Sequence, residues 1–390
     1  MDYLHPDLSA NIWRNVDEIP GNGIDDDNNG FVDDINGYDF YDDDPDPMDN
    51  GTHGTHCAGT IGALADNSFG VSGVSHLVQI MPVTLLGEGG GTVADAARAI
   101  YYAVDNGARI LNNSWGGGPR TATLERAINY AKDRNVLFVA SAGNDQSNND
   151  STPSYPASYG IDNIISVAAS TSDDKLSFFS NYGRKSVDLA APGGSCNKLF
   201  GPGPVEADIL STIKRGYRFS KESCGSNVGN EPFGFSPGTS MAAPHVSGAA
   251  ALMLAYNPNL SALEIKNLLL ANVDRKSAFQ QRTVSGGRLN IAKALQASTP
   301  DWKFIETGTN GTIRPGSDSE IKLKLDASYL DSGVYESSVL INVTNQVSRP
   351  YRIPIRVSVG KSSLTAAGAT VIISPVTGVS VASGRDDNKI

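Results

Sequence analysis

Cysteine, basic clusters and long apolar runs are all scarce in this sequence. Three cysteines in 390 residues are too few for a disulfide-based fold. No apolar run approaches the length of a membrane-spanning helix, and the first residues show neither the basic region nor the apolar core of a signal peptide. Basic residues do not cluster with aromatic ones, so we expect no nucleic-acid partner. The length and the 41 glycines indicate a loop-rich globular protein with one large domain and a small one.

Negative charge is concentrated in the first 50 residues. They contain fifteen Asp or Glu and one Arg, a net charge of −14, so the other 340 residues together carry +3. Within this segment, oxygen-bearing side chains alternate before a glycine, as in the first half of a calcium loop, although the final Glu of an EF-hand is absent. This spacing favours calcium, with a solvated acidic loop as the alternative. The candidate ligands are Asp25, Asp27, Asn29, Phe31 through its carbonyl, and Asp34, with Asp33 as a second candidate to close the site.

Predicted strands and helices alternate after residue 78. Residues 79–86, 109–114 and 136–140 are apolar and strand-like, whereas 93–106 and 122–135 carry apolar residues at helical spacing. This alternation predicts an α/β three-layer sandwich with a mostly parallel central sheet, because right-handed crossovers place helices on both faces. Ligands of such sheets gather at the carboxyl ends of the strands.

Two glycine-rich segments follow predicted strands, at 114–118 and 141–145. Glycine at a strand end allows another backbone to approach closely. Neither segment has the spacing of a dinucleotide or P-loop motif, so phosphate binding is not favoured. We expect both segments to border a cleft.

One serine and one histidine begin apolar helices and are candidates for catalysis. Ser240 follows Gly238 and Thr239, at the positive end of a helix dipole. His53 begins a second helix, where it could act as a general base. The alternatives are a capping serine and a structural histidine. Zinc is not favoured, because the pair His53 and His56 lacks the glutamate of a zinc protease motif.

These segments together resemble the motifs of the subtilisin-like serine proteases, the subtilases. Residues 238–245 (Gly-Thr-Ser-Met-Ala-Ala-Pro-His) resemble the nucleophile motif, and residues 53–59 (His-Gly-Thr-His-Cys-Ala-Gly) the histidine motif. Residues 142–144 (Ala-Gly-Asn) resemble the oxyanion motif. Three motifs in the family's order are a specific signal, and the resemblance extends over residues 1–299.

The resemblance implies a serine endopeptidase that acts on proteins or peptides. Ser240 would attack the peptide carbonyl, His53 would take its proton, and the Asn144 side chain would stabilise the oxyanion. Residues 114–116 would pair with the substrate backbone as an added strand. The substrate-binding residues implied are Ser114, Trp115, Gly116 and, in the primary specificity pocket, Ser154. A cis peptide before Pro156 is also implied.

The resemblance also bears on calcium and location. In the family, an Asp that corresponds to Asp7 joins a loop after the histidine helix to bind calcium, and Asn67 is the matching ligand in that loop. The acidic insertion over residues 25–34, as we call this segment, resembles a second calcium site of some subtilases. The resemblance to the family also implies an extracellular or cell-surface location, and we expect a monomer.

Residues 194–235 are glycine-rich and irregular, which predicts a surface excursion. Cys196 and Cys224 lie near its two ends and are candidates for a disulfide, which leaves Cys57 unpaired. By resemblance, Cys57 is a buried free thiol beside His53.

The resemblance is incomplete at one catalytic residue. Subtilases orient the histidine with an Asp in a short Asp-Thr/Ser-Gly motif, and the alignment places that motif before Met1. Asp2 matches a later, exposed family position and is a poor substitute. We therefore expect the chain as written to fold poorly, with one open position in its parallel sheet, and to be nearly inactive.

Two other classes of function are consistent with parts of the sequence. A degenerate subtilase would bind peptides or partners through its cleft without the Asp, although it would be expected to have lost other catalytic residues too. A calcium-binding structural protein would explain residues 1–50 but not the three motifs.

The pattern changes after residue 299. Residues 320–326, 334–343 and 352–359 alternate as strands do and are separated by turn signals. We expect residues 300–360 to form a small all-β sandwich that resembles immunoglobulin-like modules. Residues 361–390 are small and polar, as in a linker or a truncated tail.

Overall fold

The computed structural model describes residues 1–298 except 88, 197–207 and 221–222, together with the backbone of five strands between residues 303 and 373. The chain divides into two compact units, Met1–Thr299 and Pro300–Ile390.

Local sequence signals explain where most helices of the first unit begin. Four of them follow a side chain that accepts an N–H of the first turn, and these caps are Thr92, Thr121, Ser261 and Asn290. Among the described helices, none is long and apolar enough to cross a bilayer. The helices are α1 (His53–Gly62), α2 (Val93–Asp105), α3 (Ala122–Asp133), α4 (Thr239–Tyr256), α5 (Ala262–Ala271) and α6 (Ile291–Ala297).

Short strands alternate with these helices along the first unit. They are β1 (Tyr38–Asp39), β2 (Val83–Thr84), β3 (Ile110–Asn113), β4 (Leu137–Ser141), β5 (Ile164–Ser170), β6 (Leu189–Pro192), β7 (Ile209–Thr212), β8 (Ser226–Asn227), β9 (Phe233–Ser236), β10 (Asp274–Arg275) and β11 (Gly287–Arg288).

Six strands form the central sheet, in the order β10-β11-β6-β5-β4-β3. All of its pairings are parallel except that of β10 with β11. Every residue of β4 and β5 is buried, as expected for parallel strands that are covered on both faces. The predicted α/β fold with a mostly parallel sheet is therefore confirmed.

Successive residues of β4 face opposite sides of the sheet and pack against different helices. Val139 lies in one core cluster with Val246 of α4. Phe138 lies in another with Ile128 of α3. Helices thus cover both faces of the sheet, which produces the three layers that the sequence predicts.

The parallel arrangement is interrupted between β2 and β3. β1 and β2 form a separate parallel pair in which Tyr38 lies opposite Val83. Neither β2 nor β3 has a second partner strand in the part of the chain that the structure describes. The sequence predicts a strand over 79–86, but only the two residues of β2 pair as a strand. Because β2 has only β1 beside it in the described part of the chain, the backbone groups on its other side have no partner strand.

Residues 208–236 contain a small antiparallel sheet in the order β7-β9-β8. The prediction of an irregular excursion was wrong here, because strand pairing depends on distant contacts that composition does not reveal. This sheet packs on α1, where Thr212 Oγ1 donates to Thr55 O at 2.7 Å. Cys196 and Cys224 form a disulfide, which confirms their predicted pairing, and Cys57 is free and buried.

The second unit is built from antiparallel strands. β12 (Lys303–Thr307), β13 (Ser319–Leu325) and β16 (Ala369–Ile373) form one sheet, and β14 (Gly333–Ile341) pairs with β15 (Tyr351–Val359). The strands predicted at 320–326, 334–343 and 352–359 match β13, β14 and β15. The immunoglobulin-like sandwich stays a prediction, and most of the predicted tail, 361–390, lies outside the described residues.

Gly59 lies where α1 meets β7, and a methyl group there would approach Thr212 Oγ1 to 2.2 Å and Ser211 Oγ to 2.5 Å. We expect Gly59→Ala to lower the free energy of unfolding by about 1–3 kcal/mol through overpacking, as measured by urea unfolding. The control is Gly54→Ala on the same helix, where the methyl group would lie 3.6 Å from Asp49 Oδ2. We expect that control to change the free energy by less than about 1 kcal/mol. Equal losses in both variants would contradict the prediction.

Candidate active site

Ser240 is the second residue of α4 and is half-buried. The backbone at Gly238 has φ 153° and ψ 158°, a conformation that favours glycine, and it brings the chain into the helix. Ser240 Oγ donates to the carbonyl of Ser114 at 3.2 Å, at the carboxyl end of β3. The predicted nucleophile therefore lies at the edge of the sheet where ligands gather.

Pro244 leaves the backbone carbonyl of Ser240 without its helical donor. A residue with an N–H at position 244 would donate to Ser240 O, four residues earlier, and proline has no N–H. Two side chains occupy that acceptor instead: Ser114 Oγ donates at 2.8 Å and Cys57 Sγ at 3.3 Å. The carbonyl of the predicted nucleophile thus joins α4 to α1 and to the end of β3.

Asn144 lies in the loop after β4 and is exposed. Its Oδ1 accepts two hydrogen bonds from Thr239, one from the backbone N–H and one from the hydroxyl, each at 2.9 Å. This pair engages the oxygen of the amide, so that Nδ2 is the end available to a substrate. Thr239 was not a predicted site residue, although it precedes the serine in the nucleophile motif.

Asn181 braces the loop that carries Asn144. Its Oδ1 accepts the N–H groups of Asp145 and Ser147 at 2.8 and 3.0 Å, and its Nδ2 donates to Ala142 O at 3.2 Å. Asn181 itself is 1% exposed. No sequence motif marks this residue, because it lies 34 to 39 positions after the three residues that it contacts.

His53 begins α1 and its side chain is exposed. Although solvent reaches the ring, the surrounding protein lowers the pKa of His53 by desolvation, and the charge of Asp49 opposes that shift. Among the described residues, no hydrogen bond or ion pair reaches the ring. Asp49 is engaged elsewhere: its carboxylate accepts from Gly51 N, Thr55 N and Thr55 Oγ1.

Asp2 does not serve His53 either. Asp2 is buried, with 1% of its surface exposed. Its carboxylate pairs with Arg215, whose Nε and Nη2 donate at 2.8 and 3.0 Å. Its backbone N–H donates to Thr55 Oγ1. Asp2 therefore contributes to the packing of α1, in agreement with its dismissal as a substitute for the catalytic Asp.

Contacts with neighbouring residues hold the predicted substrate-binding segment, residues 114–116, in place. Trp115 Nε1 donates to Asn113 Oδ1 at 3.1 Å. Gly116 is exposed, and a methyl group on it would lie 3.1 Å from Tyr155 O and 3.9 Å from Ser154 Oγ. The structure thus brings the segment 114–116 next to Ser154, and the Tyr155–Pro156 peptide is cis, as the resemblance implies.

The acidic insertion brings three carboxylates together. Oxygens of Glu18, Asp27 and Asp34 lie within 4.8 Å of one another, and Glu18 and Asp34 are buried. No Lys or Arg pairs with them in the described part of the chain. Of the other candidates, Asn29 Nδ2 donates to both Asp27 and Asp34. Glu18 was missed by the sequence prediction, because it lies outside the recognisable loop.

The remaining predicted ligands have other partners in this structure. Asp25 accepts the N–H groups of Asn29 and Gly30. The Phe31 ring packs against Tyr38 and Tyr102. At the second predicted site, Asp7 is fully buried and accepts from Asn67 Nδ2 at 2.6 Å and from Val71 N at 3.0 Å. Asp7 and Asn67 are therefore adjacent, as predicted.

Tyr102 of α2 connects to the insertion through its hydroxyl, which donates to Asp34 Oδ2 at 2.6 Å. Burial, together with this hydrogen bond to a carboxylate, raises the pKa of Tyr102. The tyrosine therefore stays a neutral donor and stabilises one of the three clustered charges.

The sequence profile of the subtilase family matches residues 1–290 of this chain. The chain belongs to the subtilase family. Among its relatives are the thermophilic serine proteinase of Bacillus sp. strain AK1, 38% identical over 278 residues (71% of this chain, 55% of that protein), and thermitase of Thermoactinomyces vulgaris, 34% identical over 263 residues (67% and 81%). A solved protease structure from Pseudoalteromonas arctica has a TM-score of 0.59 at 29% identity, with 76% of this chain and 86% of that chain covered.

This subtilase chain spans about half the length of several curated relatives that it matches. For subtilisin-like protease 1 of Plasmodium falciparum, 32% identical over 316 residues, the match covers 42% of that protein and 76% of this chain. The family membership concerns the first unit, because the profile ends at residue 290, before the second unit begins.

The thiol of Cys57 should be unreactive in the folded subtilase. Burial raises the pKa of Cys57 to about 12, so the reactive thiolate is scarce near neutral pH. We expect iodoacetamide at pH 8 to modify less than about one tenth of the native protein while it modifies the unfolded chain completely. Mass spectrometry without added reductant keeps the disulfide closed and serves as the control. Complete alkylation of the native protein would contradict this assignment.

Proposed function

We propose that this chain is a serine endopeptidase in which Ser240, His53 and Asn144 carry the reaction. The observation that supports it most is the network at Ser240: the nucleophile helix, the end of β3 and the histidine helix meet at its carbonyl. Asn144 is tied to the same helix through Thr239. Such mutual positioning is what nucleophilic catalysis requires of residues from separate elements.

In the proposed reaction, Ser240 Oγ attacks the peptide carbonyl and His53 takes its proton, then returns it to the leaving amine. The oxyanion would be stabilised by Asn144 Nδ2 and by the backbone N–H of Ser240. That N–H lies in the first turn of α4, where helical N–H groups lack intrahelical acceptors. Before attack, the hydroxyl of Ser240 must turn from the carbonyl of Ser114 toward His53.

The rate would be limited by the orientation of His53. A neighbouring carboxylate normally fixes the tautomer and balances the charge that the imidazole acquires. No carboxylate hydrogen-bonds to His53 among the described residues. In subtilisin, removal of that Asp costs about 3 × 10⁴ in kcat, and we propose a similar deficit for this chain as written.

Protein or peptide substrates would pair with the backbone of the segment Ser114, Trp115 and Gly116, of which Gly116 is exposed, and Ser154 would face the side chain before the cleaved bond. The disulfide between Cys196 and Cys224 favours an oxidising compartment, which supports an extracellular or cell-surface location.

The quoted relatives are all described as proteases, so no observation favours the non-catalytic alternative.

The proposal predicts weak hydrolysis that depends on Ser240. We expect the 390-residue chain to cleave a chromogenic peptide about 10⁴-fold more slowly than a subtilisin assayed alongside, and Ser240→Ala to abolish that activity. Ser72→Ala, at an exposed serine, is the matched control and should keep the full residual rate. Equal rates in Ser240→Ala and the unsubstituted chain would contradict the proposed nucleophile.

We also propose that calcium binds at Glu18, Asp27 and Asp34, with Asn29 beside them. Three carboxylates without a basic partner repel one another, and a divalent cation with a preference for oxygen ligands would relieve that repulsion. Asp7 and Asn67 are the proposed second site, because Asp7 is buried and Asn67 lies beside it; the Asn67 amide, whose Nδ2 donates to Asp7 in this structure, would turn its oxygen toward the ion. The bound ion would stabilise the insertion and take no part in hydrolysis.

Calcium should therefore raise the melting temperature, because a ligand that binds only the folded state at 100 times its Kd adds about 2.7 kcal/mol. We expect this gain to be lost in EDTA and largely absent in Glu18→Gln. Asp42→Asn changes an exposed charge in the same segment and should keep the gain. An unsubstituted protein that melts identically in calcium and EDTA would refute the proposal.

A further inference from the structure

His56 lies one turn after His53 on α1, and its side chain is almost fully buried, at 1% exposed. Its Nε2 lies 3.0 Å from the carbonyl oxygen of Ile209 and 3.2 Å from that of Gly234. Since both partners are acceptors, Nε2 carries the proton, and burial, which lowers the pKa of His56 to about 4, keeps the ring neutral near pH 7. Nδ1 is buried and has no hydrogen-bond partner among the described residues.

The two carbonyls belong to neighbouring strands of the small sheet. Ile209 begins β7 and Gly234 lies in β9, and the two strands pair antiparallel, with Ser211 opposite Gly234. One N–H of His56 thus bridges two paired strands. The ring therefore links α1 to both strands of this pair.

Other contacts attach the same turns of α1 to the same sheet. Ser211 Oγ donates to His56 O at 2.8 Å, and Thr212 Oγ1 donates to Thr55 O at 2.7 Å. Lys214 N donates to the hydroxyl of Thr52, the residue before the helix, at 2.9 Å. The first turns of α1 are therefore bound along the length of β7 and just beyond it.

His53 has no comparable support of its own. Its side chain is exposed, and no hydrogen bond reaches its ring in the part of the chain that the structure describes. The position of its imidazole is therefore set by the backbone of the first turn of α1. That backbone, in turn, is attached to β7 and β9.

From this geometry we propose that His56 is a positioning residue for His53. Its buried N–H, shared between Ile209 O and Gly234 O, keeps the first turn of α1 in the orientation that directs His53 toward Ser240. This inference rests on the proposed role of His53 as the general base. It assigns to the second histidine of the motif a function that requires neither substrate contact nor metal binding.

Three variants of the full chain separate positioning from stability. His56→Gln keeps an N–H donor at the end of a side chain of similar reach, whereas His56→Phe keeps an aromatic ring and removes the N–H donor. Ile128→Ala, in the core between α3 and the sheet, is a stability control, because it destabilises without touching α1. Each variant is assayed at the same interval below its own melting temperature.

We expect His56→Phe to lower kcat about tenfold with KM within about twofold of the unsubstituted chain, because a small misplacement of a catalytic group costs rate rather than binding. His56→Gln should stay within about threefold in kcat, and Ile128→Ala should not reduce it beyond that range. A His56→Gln variant as impaired as His56→Phe, or an equal loss in Ile128→Ala, would overturn the proposal.

A second measurement does not require activity. In ¹³C-histidine-labelled protein with Ser240→Ala, the His53 resonance is identified by its loss in His53→Gln and titrated by NMR. Because His56 is neutral, with a pKa lowered by burial to about 4, His56→Phe removes no charge from His53 near neutral pH. We expect the pKa of His53 to return toward its ordinary value in His56→Phe and to be unchanged in His56→Gln. An unchanged pKa in His56→Phe would overturn the proposal.

The two measurements also separate this inference from the proposed function. If the chain shows no Ser240-dependent hydrolysis, the proposed peptidase activity fails, and the titration of His53 still decides whether His56 positions it. If hydrolysis is present and the pKa of His53 is unchanged in His56→Phe, the positioning role is refuted while the proposed peptidase activity stands.

Discussion

One carbonyl oxygen connects the parts of the candidate site. Pro244 has no N–H, so α4 leaves the backbone oxygen of Ser240 without its helical partner. The hydroxyl of Ser114 and the thiol of Cys57 donate to it instead. The missing N–H in one helix thereby links Ser240 to the predicted substrate-binding segment and to α1. Any other residue at position 244 would supply an N–H that competes with these two donors.

The histidine helix is supported from its other side by a sheet that lies far away in the sequence. β7 and β9 bind the backbone of α1 through hydroxyl groups and through the buried ring of His56. Glycine at position 59 allows this close approach, since a methyl group would meet Thr212. His53 therefore lies between two attachments, one through Cys57 to α4 and one through His56 to the small sheet.

Electrostatics divides the first unit into an acidic insertion and a nearly balanced remainder. The insertion brings Glu18, Asp27 and Asp34 together without a basic partner in the described residues. Tyr102 donates to Asp34 from α2, which fastens this charged segment to the outer helical layer. A cation bound there would stabilise β1 and its surroundings, and hence the support of the cleft, rather than act in the chemistry.

The sequence by itself determined those features that depend on residues close together in the chain. Threonine, serine and asparagine caps fix the starts of four helices. The alternation of apolar strand segments with helices predicts the parallel sheet, and three short motifs mark His53, Asn144 and Ser240. Only the tertiary structure decided that Glu18 lies beside Asp27 and Asp34, that Asn181 braces the loop of Asn144, and that His56 contacts Ile209 and Gly234. These partners lie 9 to 178 residues away in the sequence from the groups that they contact or join. Hydrogen bonds and charge pairs act over a few ångströms of space, and only the folded backbone brings such residues that close.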